Sequence, residues 1–220
     1  MNSRRAFTLV VAVVGMIAPA CARDASNQRA PDSASTPNGR WDAAHRDTLL
    51  RLGREDQDGR EDLAKAAVAQ DTGVLFAMIR ADSARTRWLR AAVAQRGWPT
   101  RSSPRDSAPT AAWLILQHSP DSAWQAAMLP ELERLGRSGA LPLPDLALLT
   151  DRILMHRGLP QRYGSQFNVV DGRLVAAPIE DLATLDARRA GMKLPPMAEY
   201  VKLLEEQSKL PVTWPPAAKR

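Results

Sequence analysis

The sequence predicts a mainly α fold: a single helical domain with a small β-hairpin near residues 166–175. Three observations carry that prediction. From Trp41 onward, apolar residues recur three and four positions apart, the helical period. Ala, Leu, Arg and Glu, which lose little on entering a helix, fill the segments between Gly and Pro breaks. Only around Asp171-Gly172 does the period shorten, to two β-rich runs flanking a tight turn.

In chain order, the first helices are predicted over 41–52 and 60–80, loosened between by Gly53 and Gly59. Asp82 is placed to cap a helix that runs through Gln95 and stops at Gly97-Trp98-Pro99. Arg101 to Pro109 reads as a loop, and Thr110 to His118, the most apolar stretch of the mature chain, as the central core helix. Ser119 as N-cap and Pro120 at the first helical position start a helix to about Arg134, which Pro130 should kink or split. Asp145 to Arg157 puts Leu146, Leu149 and Ile153 on one face, with Gly158 as the stop. Phe167, Val169 and Val170, then Leu174 and Val175, form the hairpin around a type I′ turn. Helices over about 179–190 and 197–207 follow, the second with Met197, Tyr200, Val201 and Leu204 as a buried stripe. The folded domain is thus 41–207, and the Pro-rich tail, 208–220, should be extended.

Residues 1–20 read as a signal peptide: Arg4 and Arg5, a short apolar run from Ala6 to Ala18, then the small-x-small pattern Ala18-Pro19-Ala20. The run is well short of the ~20 residues that span a bilayer. Ser3 to Phe7 resembles a twin-arginine pattern, and a general secretory signal also accommodates two arginines. Ala18-Pro19-Ala20-Cys21 resembles a lipobox, which makes Cys21 the expected lipidation site and 21–40 a flexible tether. The expected location is a bacterial envelope membrane, facing the periplasm or the exterior, with the membrane reached through the lipid anchor.

Composition narrows the function classes. Hydrophobic residues make up 45% of the 220 and charged residues 25%, which fits a packed globular core and not a disordered chain. One Cys allows no internal disulfide, and with only three His there is no metal-ligand spacing, so neither metal nor cofactor is expected. The net charge of +6 drops to +4 once Arg4 and Arg5 leave with the signal. The remaining basic residues alternate with acids, as in Arg51 to Glu61, and no nucleic-acid partner is expected. G-x-S-x-G, H-E-x-x-H and Cys-x-x-Cys are absent, as are a Gly-rich phosphate loop and an internal repeat.

Four polar clusters beside apolar segments supply the candidate site. Asp56, Gln57 and Arg60 form the first, where Asp56 and Arg60 at i, i+4 also suit a surface ion pair. Gln117 and His118 end the core helix next to Asp121 and the following helix N-terminus. Such a His suits proton transfer, oriented by Asp121 or Asp151, or it simply caps a helix end. Asp151 and Arg152 lie about 100° apart on a Leu-rich helix and need partners elsewhere. Gln161, Tyr163, Ser165 and Gln166 make a dense hydrogen-bonding loop around Gly164. An Arg amid Leu and Ile needs acceptors. The 161–166 loop is therefore expected to fold back along its own helix and bring His118 and Arg152 to Gln161 and Tyr163.

Together, Asp56-Gln57-x-x-Arg60, Gly97-Trp98-Pro99-Thr100, Ala-Ala-Trp-Leu-Ile-Leu-Gln117-His118 and Leu-x-Asp151-Arg152 form an ordered series. It continues through Gln161-x-Tyr163-Gly164-Ser165-Gln166, Pro178-Ile-Glu-Asp and Asp186-x-Arg188-Arg189. The series resembles the bacterial family catalogued as domain of unknown function 6624, from about Leu49 to Tyr200. Ser165 stands where that family usually has Thr, and the loop from Arg101 to Pro109 lacks a Gly that the family tends to carry. The resemblance implies a shared, often exported domain and no particular reaction. Three readings follow. The domain is an envelope hydrolase, with His118 as acid or base, Asp121 or Asp151 orienting it, Arg152 on an anionic group and the loop positioning substrate. Alternatively it binds a small polar ligand or an envelope protein without chemistry, or the polar residues form a purely structural network.

Overall fold

The computed structural model describes Val10, Val11 and residues 41–58, 60, 66, 69, 71–103 and 105–215. The expected signal cleavage site, Cys21, the tether and most of 60–70 lie outside them. Among the described residues, five helices whose bounds are set build the larger layer: α1 (Ala43–Gln57), α2 (Thr72–Arg96), α3 (Ala108–Gln117), α4 (Ser122–Arg137) and α5 (Leu143–His156). A small sheet and two helices complete the chain: β2 (Phe167–Val170), β3 (Arg173–Ala176), α6 (Leu185–Gly191), α7 (Met197–Ser208) and β4 (Val212–Thr213). β2 and β3 pair antiparallel, β4 adds to β3 in parallel, and β1 (Val10–Val11) pairs with the outer edge of β2. The fold is mainly α with a hairpin, as the periodicity requires. Among the described residues no helix is long and apolar enough to cross a membrane.

The core follows the same division. α3 is buried along almost its whole length and lies at the centre, packed by α1, α2 and α5. Around it Leu49, Leu89, Trp113, Leu116, Leu132 and Leu149 close one apolar cluster. Buried indoles keep their N–H groups bonded: Trp41 to the Gly97 carbonyl and Trp113 to the Asp145 carbonyl, both at 3.1 Å. α1 crosses α3 so closely that a Cβ on Gly53 would lie 2.6 Å from that of Ala111. Phe167, Leu174, Leu185, Met197, Tyr200 and Leu204 form the second cluster, under the hairpin.

Local signals placed several elements as expected. Gly97 and Gly158 end α2 and α5 with φ near +70°, the left-handed geometry a glycine permits. Asp171 and Gly172 both have positive φ, 48° and 72°, as a type I′ turn requires. Met197, Tyr200 and Leu204 form the buried stripe of α7.

Elsewhere the elements differ from the sequence expectation. Asp82 is not a helix cap. It lies in the middle of a continuous 25-residue α2, whose N-cap is Asp71, accepting from the Gly73 and Val74 amides. With no breaker between Val74 and Arg96, helix propensity carries the chain straight through. α4 begins later than Ser119-Pro120: Asp121 is its N-cap and accepts from the Trp124 amide at 2.9 Å. A carboxylate three residues before that amide is a stronger acceptor than the upstream hydroxyl. Pro130 neither splits nor ends α4, which runs on to Arg137. The helix expected over 179–190 starts only at Leu185. Ile179 pairs with Gln161 in a β-bridge, and the Asp181 carboxylate accepts from the Ala183 amide, holding a turn.

Candidate functional site

α1 ends at Gln57 and α3 at Gln117, with His118 as its C-cap, and the close crossing at Gly53 brings the two C-terminal ends together. Asp56, completely buried, points into that junction. Its Oδ2 accepts from His118 Nδ1 at 2.7 Å and from Gln57 Nε2 at 2.8 Å. Its Oδ1 accepts from Arg60 at 2.8 Å. Arg60 also reaches Asp82 on α2, at 2.7 Å, and Asp82 in turn accepts from Arg85 at 2.6 Å. Arg85 Nε lies 3.7 Å from Asp56, closing the circuit. Two carboxylates and two guanidinium groups are thus woven around one imidazole.

Electrostatics fix the protonation states. Burial alone would raise the Asp56 pKa, but the bonds from His118 and Arg60 outweigh it and hold the carboxyl at about 2. Burial lowers the His118 pKa; the Asp56 bond opposes the fall, and the nearby charges of Arg60 and Arg152 add to it. At neutral pH the ring is therefore neutral, with Nδ1–H donating to Asp56 and Nε2 carrying a lone pair. That Nε2 is buried and has no hydrogen-bond partner. A neutral imidazole oriented by a carboxylate, with the distal nitrogen free, is the arrangement of a general base.

Further orphaned groups lie around it. Arg152 of α5 is buried, and neither its Nε nor its Nη2 has a hydrogen-bond partner. Its charge acts on His118, Arg60 and Asp82, and burial pushes its pKa down to about 10. Gln117 is completely buried with both amide atoms unpartnered. Native interiors rarely leave such groups unpaired. A surface groove of about 330 Å³ between α1 and α2 is lined in part by Arg85, whose guanidinium belongs to the cluster.

The 161–166 loop does fold back along its helix, and its anchor is Asp151. The Asp151 carboxylate accepts from the Arg162, Tyr163 and Ser165 amides at 2.7, 3.0 and 2.9 Å, and from Ser165 Oγ at 2.9 Å. Gln161 crosses the loop, donating to the Gln166 and Ala177 carbonyls and accepting from the Gln166 amide. Gln166 donates to Ser165 Oγ at 3.0 Å. Arg189 of α6 donates to the Tyr163 carbonyl and lies over the Tyr200 ring at 4.7 Å.

The sequence-derived residues thus fall into two groups. Asp56, Gln57, Arg60 and His118 converge, and Arg152 joins them electrostatically. Asp151, Gln161, Ser165 and Gln166 hold the loop, with Tyr163 half-exposed on it. The acid at His118 is Asp56, where Asp121 or Asp151 was expected, because each of those is committed elsewhere. Asp121 caps α4 and pairs with Arg90 at 2.7 Å. His118 and Arg152 do not hydrogen-bond to the loop's side chains: His118 is held by Asp56, and Arg152 acts on the charged cluster through its charge. Sequence reasoning missed Asp82 and Arg85 in this site. Their i, i+3 spacing was the available signal, but a capping role for Asp82 hid it. Among the described residues no group of His, Cys, Asp and Glu could hold a metal ion.

Over residues 44–213, most of the chain, the sequence matches the model of a family described as a family of unknown function, DUF6624. No curated protein and no solved structure matches it. The charged cluster and the anchored loop both lie inside the matched span, and the chain belongs to the DUF6624 family.

Proposed function

We propose that this protein is an exported lipoprotein of the bacterial envelope whose helical domain performs acid–base chemistry, as a hydrolase, on a small polar substrate. The observation that carries the chemical part is His118: Nδ1 bonded to Asp56 at 2.7 Å, Nε2 buried and free. In this scheme Nε2 takes a proton from a water molecule as that water attacks the substrate, and then returns the proton to the leaving group. Asp56 stays ionised throughout and stabilises the imidazolium, which Arg60 and Arg152 would otherwise disfavour. Export and anchoring are supported by Arg4-Arg5, the apolar run after them and Cys21 directly behind Ala18-Pro19-Ala20.

A binding-only role for the same pocket is the second reading. It is favoured by one observation: no side-chain nucleophile is hydrogen-bonded to Nε2.

His118→Gln separates either role from scaffold. Removing the ring leaves Asp56 paired to Arg60 and Gln57, both at 2.8 Å, so no charge is abandoned. The variant should keep or gain stability in urea denaturation. A loss above about 2 kcal/mol, the cost typical of breaking a buried network, would make the cluster structural and overturn the proposal. Cys21→Ser should move the mature protein from the membrane to the soluble fraction. Unchanged fractionation would remove the anchor.

A further inference from the structure

The charges around His118 do not balance among the described residues. Among the described residues the cluster holds three guanidinium groups, Arg60, Arg85 and Arg152, against two carboxylates, Asp56 and Asp82. Arg60 and Arg85 are each paired with these carboxylates at 2.6 to 2.8 Å, which leaves Arg152 as the excess cation. It is buried, and no hydrogen bond or ion pair of its side chain joins it to the described residues. A water molecule could satisfy its donors but would leave the charge unmatched. A buried guanidinium without an anion is costly, and its planar fork suits two oxygen acceptors.

We propose that Arg152 holds a singly charged oxyanion, a carboxylate or a phosphodiester, beside the free Nε2 of His118. This deepens the acid–base reading by naming its substrate class, and it rests on that reading only for the chemistry, not for binding. One negative charge brings the cluster to neutrality. A dianion such as a phosphomonoester or sulfate would leave a buried negative excess next to Asp56 and Asp82. Arg60 is the more exposed member of its pair, its side chain 18% exposed against 1% for Asp56.

The test uses the full chain and three probes: acetate, dimethyl phosphate and sulfate, each against sodium chloride at the same ionic strength, at pH 8. Thermal melting and the imidazole NMR signals of His118 are followed. Acetate and dimethyl phosphate should raise the melting temperature and shift His118, whereas sulfate should do no more than chloride. Arg152→Met should weaken the response about tenfold or more, the loss expected for a charge-assisted pair, and Arg152→Lys should keep part of it. Equal responses in wild type and Arg152→Met, no response to either monoanion, or a stronger response to sulfate would each overturn the proposal. His118→Gln separates the two ideas. Anion binding that survives in this variant supports the site even if the proton-transfer role fails. A wild-type His118 that titrates as a free base without anion binding leaves only the acid–base reading standing.

Discussion

Asp151 and Arg152 are neighbours in the chain and both are buried, yet they stand in opposite environments. The Asp151 carboxylate receives three backbone amides and a hydroxyl, all within 3.0 Å. The Gln161 side chain crosses the loop to the Gln166 backbone and reaches the Ala177 carbonyl, and Gln166 donates to Ser165 Oγ. One helical step away, Arg152 has two unpartnered nitrogens, and the cluster its charge acts on includes a His with a free Nε2. The first region uses most of its polar groups to hold a loop, leaving only Gln166 Oε1 and, behind it, Arg189 Nη2 without a partner among the described residues. The second holds polar groups in reserve, at a desolvation cost that folding alone does not repay. The first network is largely satisfied within itself; the second is not, and it surrounds an imidazole oriented by Asp56.

The largest expected effect breaks the scaffold side. Asp151→Ala strips the acceptor from four donors at once, the buried Ser165 amide and hydroxyl and the part-buried Arg162 and Tyr163 amides, and a buried donor left unpaired costs about 1–3 kcal/mol. The domain should lose about 4 kcal/mol in urea denaturation, and the 161–166 amides should exchange quickly with solvent. A loss under about 1 kcal/mol would mean that the loop is held by something other than this carboxylate.

A smaller effect breaks the site side from a distance. Gly53→Ala drives a Cβ to 2.6 Å from that of Ala111, with the Ala111 Cα only 3.1 Å away. Overpacking of this kind costs about 2 kcal/mol. It should also push α1 from α3 and lengthen the Asp56–His118 bond, so the His118 NMR signals should move while those of the Asp151 loop stay put. Unmoved His118 signals would show that the crossing does not set the dyad.

Acid sharpens the comparison with the smallest effect. The folded His118 pKa lies below its unfolded value of 6.5, so the unfolded chain binds the proton first. The stability contributed is full above pH 6.5 and is lost as pH falls from there toward the folded pKa. The slope is at most about 1.4 kcal/mol per pH unit for one group. Burial lowers His156 as well, so its stability is also lost as pH falls below 6.5 and His118→Gln should flatten the pH dependence of the urea midpoint only in part. Asp56 adds a second window, from its ordinary 3.8 down to about 2. An unchanged pH profile in His118→Gln would contradict the assignment.

What could be read from the sequence was whatever the chain settles locally. Gly97 and Gly158 stop helices, Asp171-Gly172 turns a hairpin, and the stripe of α7 declares its buried face, all within one or two turns of chain. Asp56, Arg60 and His118 could be picked as suspicious, but not joined. The Asp56–His118 bond spans 62 residues and the Arg60–Asp82 bond 22, and both depend on a helix crossing that no local pattern encodes. For the same reason Asp151 looked catalytic: an isolated acid in an apolar helix is equally the mark of a loop anchor. Asp82 looked like a cap because one of its two partners, Arg60, sits 22 residues upstream, and its local pair with Arg85 alone reads as an ordinary helix ion pair.

The central claim is that His118 is a neutral, oriented base with a free Nε2, and nitrogen-15 NMR of the imidazoles tests it most directly. With His118→Gln identifying the resonance among the three His, the His118 ring at pH 7 should show Nδ1 protonated and Nε2 bare, and should take up its second proton below pH 6.5. An imidazolium at pH 7, or the opposite tautomer with the proton on Nε2, would contradict it.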